Sequence, residues 1–375
     1  MKVLLLTSDL QEKGGVGNYY RCLSLDKEPD IDYFFVNRID TSSIMSPNSK
    51  DKLIYLKKAV NLVFLYLKFM LIAPKYQLIH LNPSLTRNSF YRDLLFILIS
   101  KMYRKKVLLF YRGWSEAFEQ KILASKIMRS LFKHTFGRAD AIIVLGSIFE
   151  QKLLNMGGIP VNSVFKETTV ADASFLEGFN LTKKLTAYHH HVNFLFISRI
   201  LKEKGVYIAI DAFNRCQQLS SHRPMTFYIA GEGEELNNAK QYVEEQAIQN
   251  IVFLGNIKND EKRKALHNCH IMIFPTYHGE GLPNCLLEGM LYGMPIISRV
   301  NAGIPDVVIE GENGFLTTSL DSNEFAIACN RLISDAELYT QMARTNSTYA
   351  LSNFSTEKVR ERLLSIYAKL DSSRL

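Results

Sequence analysis

The sequence predicts an α/β protein with two doubly wound parallel sheets, and three observations carry that reading. Short apolar runs alternate with longer amphipathic ones, the alternation stops between about 161 and 190 and then restarts, and 375 residues exceed one ordinary core. The predicted strands of the first half are 2–8 (KVLLLTS), 32–37, 78–82, 106–111 and 141–146, with helices over 17–25, 53–72, 88–103, 117–136 and 148–156. Those of the second half are 192–198, 225–231, 251–255, 271–276 and 294–299, with helices over 204–219, 234–246, 260–267, 284–292 and 323–334. A final helix is predicted over 355–370, where Ser355 can cap it and Glu357 lies in its first turn. The mostly polar stretch FKETTVADASFLEGFNLTKKLTAYHHH holds the boundary, set at 185, giving domains of 1–185 and 186–354 with a closing segment of 355–375. Two Rossmann-like halves in one chain leave a cleft between the carboxyl ends of their strands, the usual place for a ligand.

Composition narrows the setting. The opening MKVLLLTSDL reads as a buried strand, because its apolar run is too short for a signal peptide. No stretch reaches the roughly 18–20 apolar residues that a membrane-spanning helix needs. The five cysteines lack CxxC or zinc-like spacing and suit a reducing, cytoplasmic compartment, which leaves the sequons at Asn180, Asn346 and Asn353 unused. The run His189-His190-His191 has no nearby Cys or carboxylate partner and reads as a linker; no metal is expected.

Charge is uneven. Residues 1–185 hold 27 Lys/Arg against 16 Asp/Glu, while 186–375 hold 18 against 21. Most of the excess lies in 41–138, with 18 basic and 4 acidic residues. The basic residues alternate with apolar runs, as in KLIYLKKAVNLVFLYLKFMLIAPK and RDLLFILISKMYRKK, and no nucleic-acid-binding motif is present. That mixture suits an anionic membrane surface better than nucleic acid. Core helices with snorkelling lysines are the competing reading.

Three loops carry candidate chemistry. Gly14, Gly15 and Gly17 follow the first strand and open a helix, an arrangement that lets backbone approach a phosphate. Tyr20 occupies the place of the third glycine of a dinucleotide fingerprint, so a tight strand-to-helix turn stays open for this first loop, and Gly231-Glu232-Gly233 has the same defect at Leu236. Arg199 and Lys204 sit between a strand and a helix, where a bidentate guanidinium and an ammonium suit a diphosphate. HGEGLPN then follows the strand IMIFPT. Pro283 suits a first helical turn, the Gly281-Leu282-Pro283-Asn284 turn can aim N–H groups at an anion, and Glu280 and Glu288 can accept hydroxyl hydrogen bonds. Either glutamate alone could be a solvated helical acid.

Glu280-x7-Glu288, Arg199 with Lys204, Gly-Glu-Gly after FYIA and the early double glycine together resemble the retaining GT-B glycosyltransferases of family 4. The resemblance runs over nearly the whole chain and is most specific in the E-x7-E segment with MPIISRVNAGIPDVVIEGENGFL. It implies two Rossmann-like domains facing each other across a cleft, the first taking the acceptor and the second the nucleotide sugar, with the last helix crossing back. It further implies a hexosyl- or N-acetylhexosaminyltransferase that needs no metal or other cofactor. By this resemblance Glu280 holds the donor sugar, Glu288 the ribose, Arg199 and Lys204 the diphosphate, and Gly15 approaches that diphosphate. A UDP-sugar, favoured over GDP, and a glycan or polyprenyl-linked acceptor of bacterial polysaccharide or lipopolysaccharide synthesis are expected, at the inner face of the cell membrane. Two departures stand out. Arg112 replaces the histidine common before the glycine in KVLLFYRGW, and KETTVADASF replaces the usual Pro-Asn-Gly-Val turn. Arg112 is still expected to line the site. An inactive sugar-nucleotide-binding protein and a GT-B epimerase or phosphorylase are the alternatives.

Overall fold

The computed structural model describes residues 1–11, 15–36, 52–279 and 281–372, with side chains except at 52–59, 174 and 175. Two of the candidate residues, Gly14 and Glu280, therefore lie outside the described residues. The chain divides into two compact units, Met1–Glu167 with Arg360–Leu375, and Thr168–Val359.

In the first unit the elements run β1 (Val3–Thr7), α1 (Gly15–Leu23), β2 (Ile31–Phe35), α2 (Lys52–Ile72), β3 (Leu78–Leu81), β4 (Ser84–Leu85), α3 (Arg87–Met102), β5 (Lys106–Phe110) and β6 (Gly113–Trp114), continuing with α4 (Glu116–Ala124), α5 (Lys126–His134), β7 (Ala141–Val144), α6 (Ser147–Met156) and β8 (Val164–Lys166). Six strands form a parallel sheet in the order β2-β1-β3-β5-β7-β8, and β4 pairs with β6. Every residue of β1, β3 and β7 is buried, as expected for strands covered on both faces. One helical layer is keyed by aromatic edges: Phe34 of β2 meets Phe69 of α2 at 5.6 Å, and Phe69 meets Phe96 of α3 at 4.9 Å. The single helix predicted over 117–136 is broken at Ser125, which ends α4 and caps α5 by accepting from the Met128 N–H.

The second unit runs α7 (Leu181–Tyr188), β9 (Val192–Ile197), α8 (Val206–Leu219), β10 (Met225–Ala230), α9 (Leu236–Glu245), β11 (Ile251–Gly255), α10 (Asn259–Asn268) and β12 (Ile271–Phe274), followed by α11 (Asn284–Leu291), β13 (Ile296–Arg299), β14 (Gly314–Thr317), α12 (Ser322–Ser334) and α13 (Ala336–Phe354). Its six-stranded parallel sheet has the order β11-β10-β9-β12-β13-β14. Strand order reverses beside β1 in one unit and beside β9 in the other, the crevice position where such sheets take ligands.

The sequence sets the first boundary at 185, but packing gathers 168–185 into the second unit. The reason is α7, which the loss of rhythm conceals. Asn180 caps it by accepting from the Lys183 N–H at 2.9 Å. Its last residue, Tyr188, stacks on Tyr339 at 3.6 Å and donates to the Leu332 carbonyl. Buried Lys184 donates to the carbonyls of Leu266 and Tyr292 at 2.9 and 2.8 Å, satisfying the ends of α10 and α11. The last helix, α14 (Thr356–Ser372), counts with the first unit from Arg360 onward. There Tyr367 Oη lies 2.5 Å from His80 Nδ1, and Arg362 pairs with Glu167 at 2.8 Å.

Candidate functional site

In the second unit the site is built on loops at the carboxyl ends of β9, β10 and β12. After β9 the chain makes a 3-10 turn over Lys202–Lys204, and Gly205 at φ +82° starts α8. A side chain at Gly205 would overlap the Pro275 carbonyl, so glycine lets the loops after β9 and β12 close on each other. Tyr277 and His278 donate their N–H groups to the Glu203 carbonyl at 2.9 and 3.0 Å, and Asn301 Nδ2 donates to the His278 carbonyl at 2.9 Å. The β12 loop is thus fixed from both sides. Gly231, at φ +141°, lies against the Ser198 carbonyl, where any Cβ would collide. This gives Gly231 a packing reason for its place after FYIA.

Arg199 is exposed, and among the described residues no carboxylate pairs with it. Lys204 is 6% exposed, and burial pushes its ammonium down to about 8; Cys285 opposes that shift and Arg199 adds to it. The same burial, with Lys204 and then Arg199, holds the His278 imidazole below its usual range. The first turn of α11 lies in this electrostatic neighbourhood, because Cys285 feels Glu288, Lys204 and Lys262. Pro283 is the residue just before α11 rather than inside it, and Asn284 is its first helical residue. Gly281 is tied by its carbonyl to the Gly303 N–H, and the Leu282 carbonyl accepts from Thr169 Oγ1 at 3.3 Å. The opening N–H groups of a helix have no intrahelical acceptors, so this turn can receive an anion.

Glu288, in the second turn of α11, is 4% exposed, and Lys262 of α10 donates to its Oε1 at 2.6 Å. Burial raises the Glu288 carboxyl pKa, Lys262 draws it down, and Asp172 raises it. The structure therefore adds Lys262, which sequence reasoning missed. One lysine within NDEKRKALHNC carries no signal of its own, since only the packing of α10 against α11 selects it.

The first unit carries a different constellation at its carboxyl ends. Arg112, just after β5, lies with its guanidinium 3.4 Å from the Phe110 ring centre and 4.0 Å from that of Tyr19. Its Nε donates to Asn82 Oδ1 at 2.9 Å, and its Nη2 is buried with no hydrogen-bond partner among the described residues. Tyr20 also donates to Asn82 Oδ1, at 2.7 Å, and its Oη lies 3.2 Å from His80 Nε2. Burial and then Arg112 hold the His80 imidazole well below its usual pKa, so it is neutral. Gly15 opens α1, and a Cβ there would meet nothing within 4 Å. Tyr20, His80 and Asn82 were invisible as site residues in the sequence because Tyr20 sits on α1 and the other two at the end of β3, about 60 residues on.

Among the described residues no group of metal-ligating side chains is present, and no helix is long and apolar enough to cross a membrane.

Residues 180–348, which contain Arg199, Lys204 and α11, match the family described as glycosyl transferases group 1. A putative colanic acid biosynthesis glycosyltransferase, WcaL, of Salmonella typhimurium (strain LT2) is 24% identical over 202 residues, 52% of this chain and 48% of that protein. The chain spans about half the length of the curated relatives it matches first. Among solved structures, Anabaena HepE in complex with UDP-glucose superposes with a TM-score of 0.70 at 16% identity, covering 99% of this chain and 100% of that one. The lipopolysaccharide outer core galactosyltransferase WaaB gives 0.68 at 16% identity, covering 98% and 99%. At that identity the likeness establishes the fold, which is GT-B, with one Rossmann-like sheet in each unit.

Proposed function

We propose that this protein is a retaining glycosyltransferase that moves a sugar from a UDP-sugar to a glycan or lipid-linked acceptor in bacterial polysaccharide or lipopolysaccharide synthesis. The observation that carries the reading is the cationic pair at the reversal point of the second sheet: exposed Arg199 without a carboxylate partner among the described residues, and buried Lys204. Both lie inside the stretch that matches the group 1 family. As the bond between sugar and diphosphate breaks, negative charge grows on the leaving phosphate. Fixed cations in a partly desolvated site stabilise that charge without a metal ion. Glu280 holds the donor sugar's hydroxyls, Glu288 takes the ribose, the Gly281–Asn284 turn and Gly15 approach the diphosphate, and Gly231 keeps the adjoining loops close. The acceptor hydroxyl attacks from the face the leaving group departs, its proton passes to that leaving phosphate, and the anomeric configuration is kept. Arg112, whose buried Nη2 has no partner among the described residues, serves the reacting sugar or the acceptor from the first unit.

HepE solved with UDP-glucose supports the choice of UDP, and the WcaL and WaaB likenesses support the polysaccharide setting. The basic, apolar first unit supports work on a polyprenyl-linked acceptor at the inner membrane face, with the chain peripheral to it. The test is nucleotide release from UDP-, GDP- and ADP-sugars with membrane-extracted acceptors, followed by NMR assignment of the product anomer. UDP release with a retained anomer is expected. Release from no sugar nucleotide overturns the enzyme reading, and an inverted anomer overturns retention.

A further inference from the structure

The outer faces of α2 and α3 combine three features that the transfer reaction does not use. On α2 the exposed apolar side chains are Val60, Val63, Phe64, Leu67 and Leu71, spaced i, i+3, i+4, i+7 and i+11, which is a single helical stripe. On α3 they are Tyr91, Leu95, Leu98 and Met102, again one stripe. Phe64, Leu71 and Met102 are 66%, 78% and 60% exposed, values at which a solvated helix ordinarily carries polar residues. The opposite faces are conventional: Phe69 and Phe96 are fully buried and pack on each other.

The two helices are neighbours in one layer. Tyr66 Oη donates to the Arg92 carbonyl at 3.1 Å, and Lys105 Nζ donates to the Pro74 carbonyl at 2.7 Å, which brings the carboxyl ends of the helices together. Around the stripes the exposed charges are of one sign: Lys68, Lys75, Arg87 and Arg104. From 52 to 75 the chain holds five lysines and no acid, and the one acid from 87 to 106, Asp93, is buried against Arg92.

We propose that this α2–α3 face is the surface by which the protein docks on an anionic lipid bilayer. The apolar stripes enter the headgroup boundary while the flanking Lys and Arg meet lipid phosphates. Charge decides between lipid and the other apolar occupant, a second copy of this chain. A symmetric contact would bring two basic faces together, each carrying Lys68, Lys75 and Arg104, with no exposed acid on either helix to pair them. The inference deepens the membrane reading above by naming the face, and it is read independently of transfer activity.

The test is flotation of the full-length protein with vesicles of phosphatidylcholine alone and of phosphatidylcholine with 30% phosphatidylglycerol, at about 50 and 500 mM salt. Wild type is expected to float with the anionic vesicles at least tenfold better than with neutral ones, and to lose most of that advantage at high salt. Phe64→Ser with Leu71→Ser, and separately Lys75→Glu with Arg104→Glu, are each expected to lower binding tenfold or more. All four positions are exposed, so the melting temperature of each variant is expected to stay near that of wild type. Binding by wild type that both variants keep would remove this face while leaving the membrane reading intact. No binding by wild type would overturn both, and a wild-type dimer that Phe64→Ser with Leu71→Ser dissolves would assign the face to a second copy. Sugar-nucleotide turnover without vesicle binding would likewise leave the transferase reading standing and reject this one.

Discussion

The two units share one scaffold and differ in what they place on it. Each is a six-stranded parallel sheet whose order reverses beside its first strand, with helices on both faces. At the carboxyl ends of its strands the second unit presents Arg199, Lys204 and the start of α11, with charged side chains coupled through Cys285 and Glu288. The first unit presents aromatic rings and a neutral histidine, with Arg112 clamped between Asn82 and the faces of Phe110 and Tyr19. One set suits a mobile, multiply charged ligand. The other suits a shaped surface around a cation held in place. The outer helices differ too, since α2 and α3 expose apolar stripes, whereas α8 of the second unit buries Val206, Ala209, Ile210, Phe213 and Cys216.

The comparison breaks most sharply at the cationic pair. Arg199→Ala or Lys204→Ala is expected to lower turnover by about 10²–10³-fold, the usual cost of removing one group that stabilises developing negative charge. A steady-state rate within threefold of wild type for either would move the donor phosphates elsewhere.

Next in size is Lys262→Met. It leaves Glu288 buried without its cation, a change that destabilises by roughly 3 kcal/mol. The sign with pH follows from the direction of the shift. Without Lys262 the folded carboxyl pKa lies further above its unfolded value, so its protonated form is the one the fold favours. The deficit is therefore smaller at acid pH and grows as pH rises through that pKa. Denaturant melts at pH 5 and pH 8 check it, and equal deficits at both would mean that Lys262 does not act through Glu288.

A smaller effect is expected at Arg112. Arg112→Ala removes the guanidinium held between Asn82 and the rings of Phe110 and Tyr19, and is expected to raise the acceptor KM about tenfold, the worth of a charged hydrogen bond, while nucleotide affinity stays within twofold. A comparable loss of nucleotide affinity would show that the two units do not divide the work this way. The smallest effect is the titration of Lys204 itself. Burial holds its pKa at about 8, so the ammonium is lost as pH rises through that value, and nucleotide affinity is expected to fall severalfold between pH 7 and pH 9. In Lys204→Arg the fall should be absent, because guanidinium stays charged across that range.

These contrasts also mark where sequence was informative. Continuous apolar strands and interleaved helices were legible because parallel strands buried on both faces leave that pattern whatever their partners. Arg199, Lys204 and the turn before α11 were legible for a related reason: each lies within a few residues of a strand end, so local order fixes its place. By contrast, α7 was hidden by its polar face and by the lysines Lys183 and Lys184, the second of which is buried only because two helix ends offer it carbonyls. β14 and α13 were missed as well, the first being only four residues long and the second lacking strong apolar periodicity. Lys262 and the Tyr20–His80–Asn82–Arg112 set depend on contacts between elements far apart in the chain, and no spacing rule reaches them.

In the proposed reaction the donor diphosphate is held chiefly by the second unit, through Arg199 and Lys204, with Gly15 of the first unit only approaching it. Calorimetric titration of UDP, GDP and ADP into wild type, Lys204→Met and Arg112→Met tests it most directly. UDP is expected to bind wild type, Lys204→Met to weaken binding by about 30-fold or more, and Arg112→Met to leave it unchanged. Undiminished binding by Lys204→Met, or binding lost in Arg112→Met alone, would contradict it.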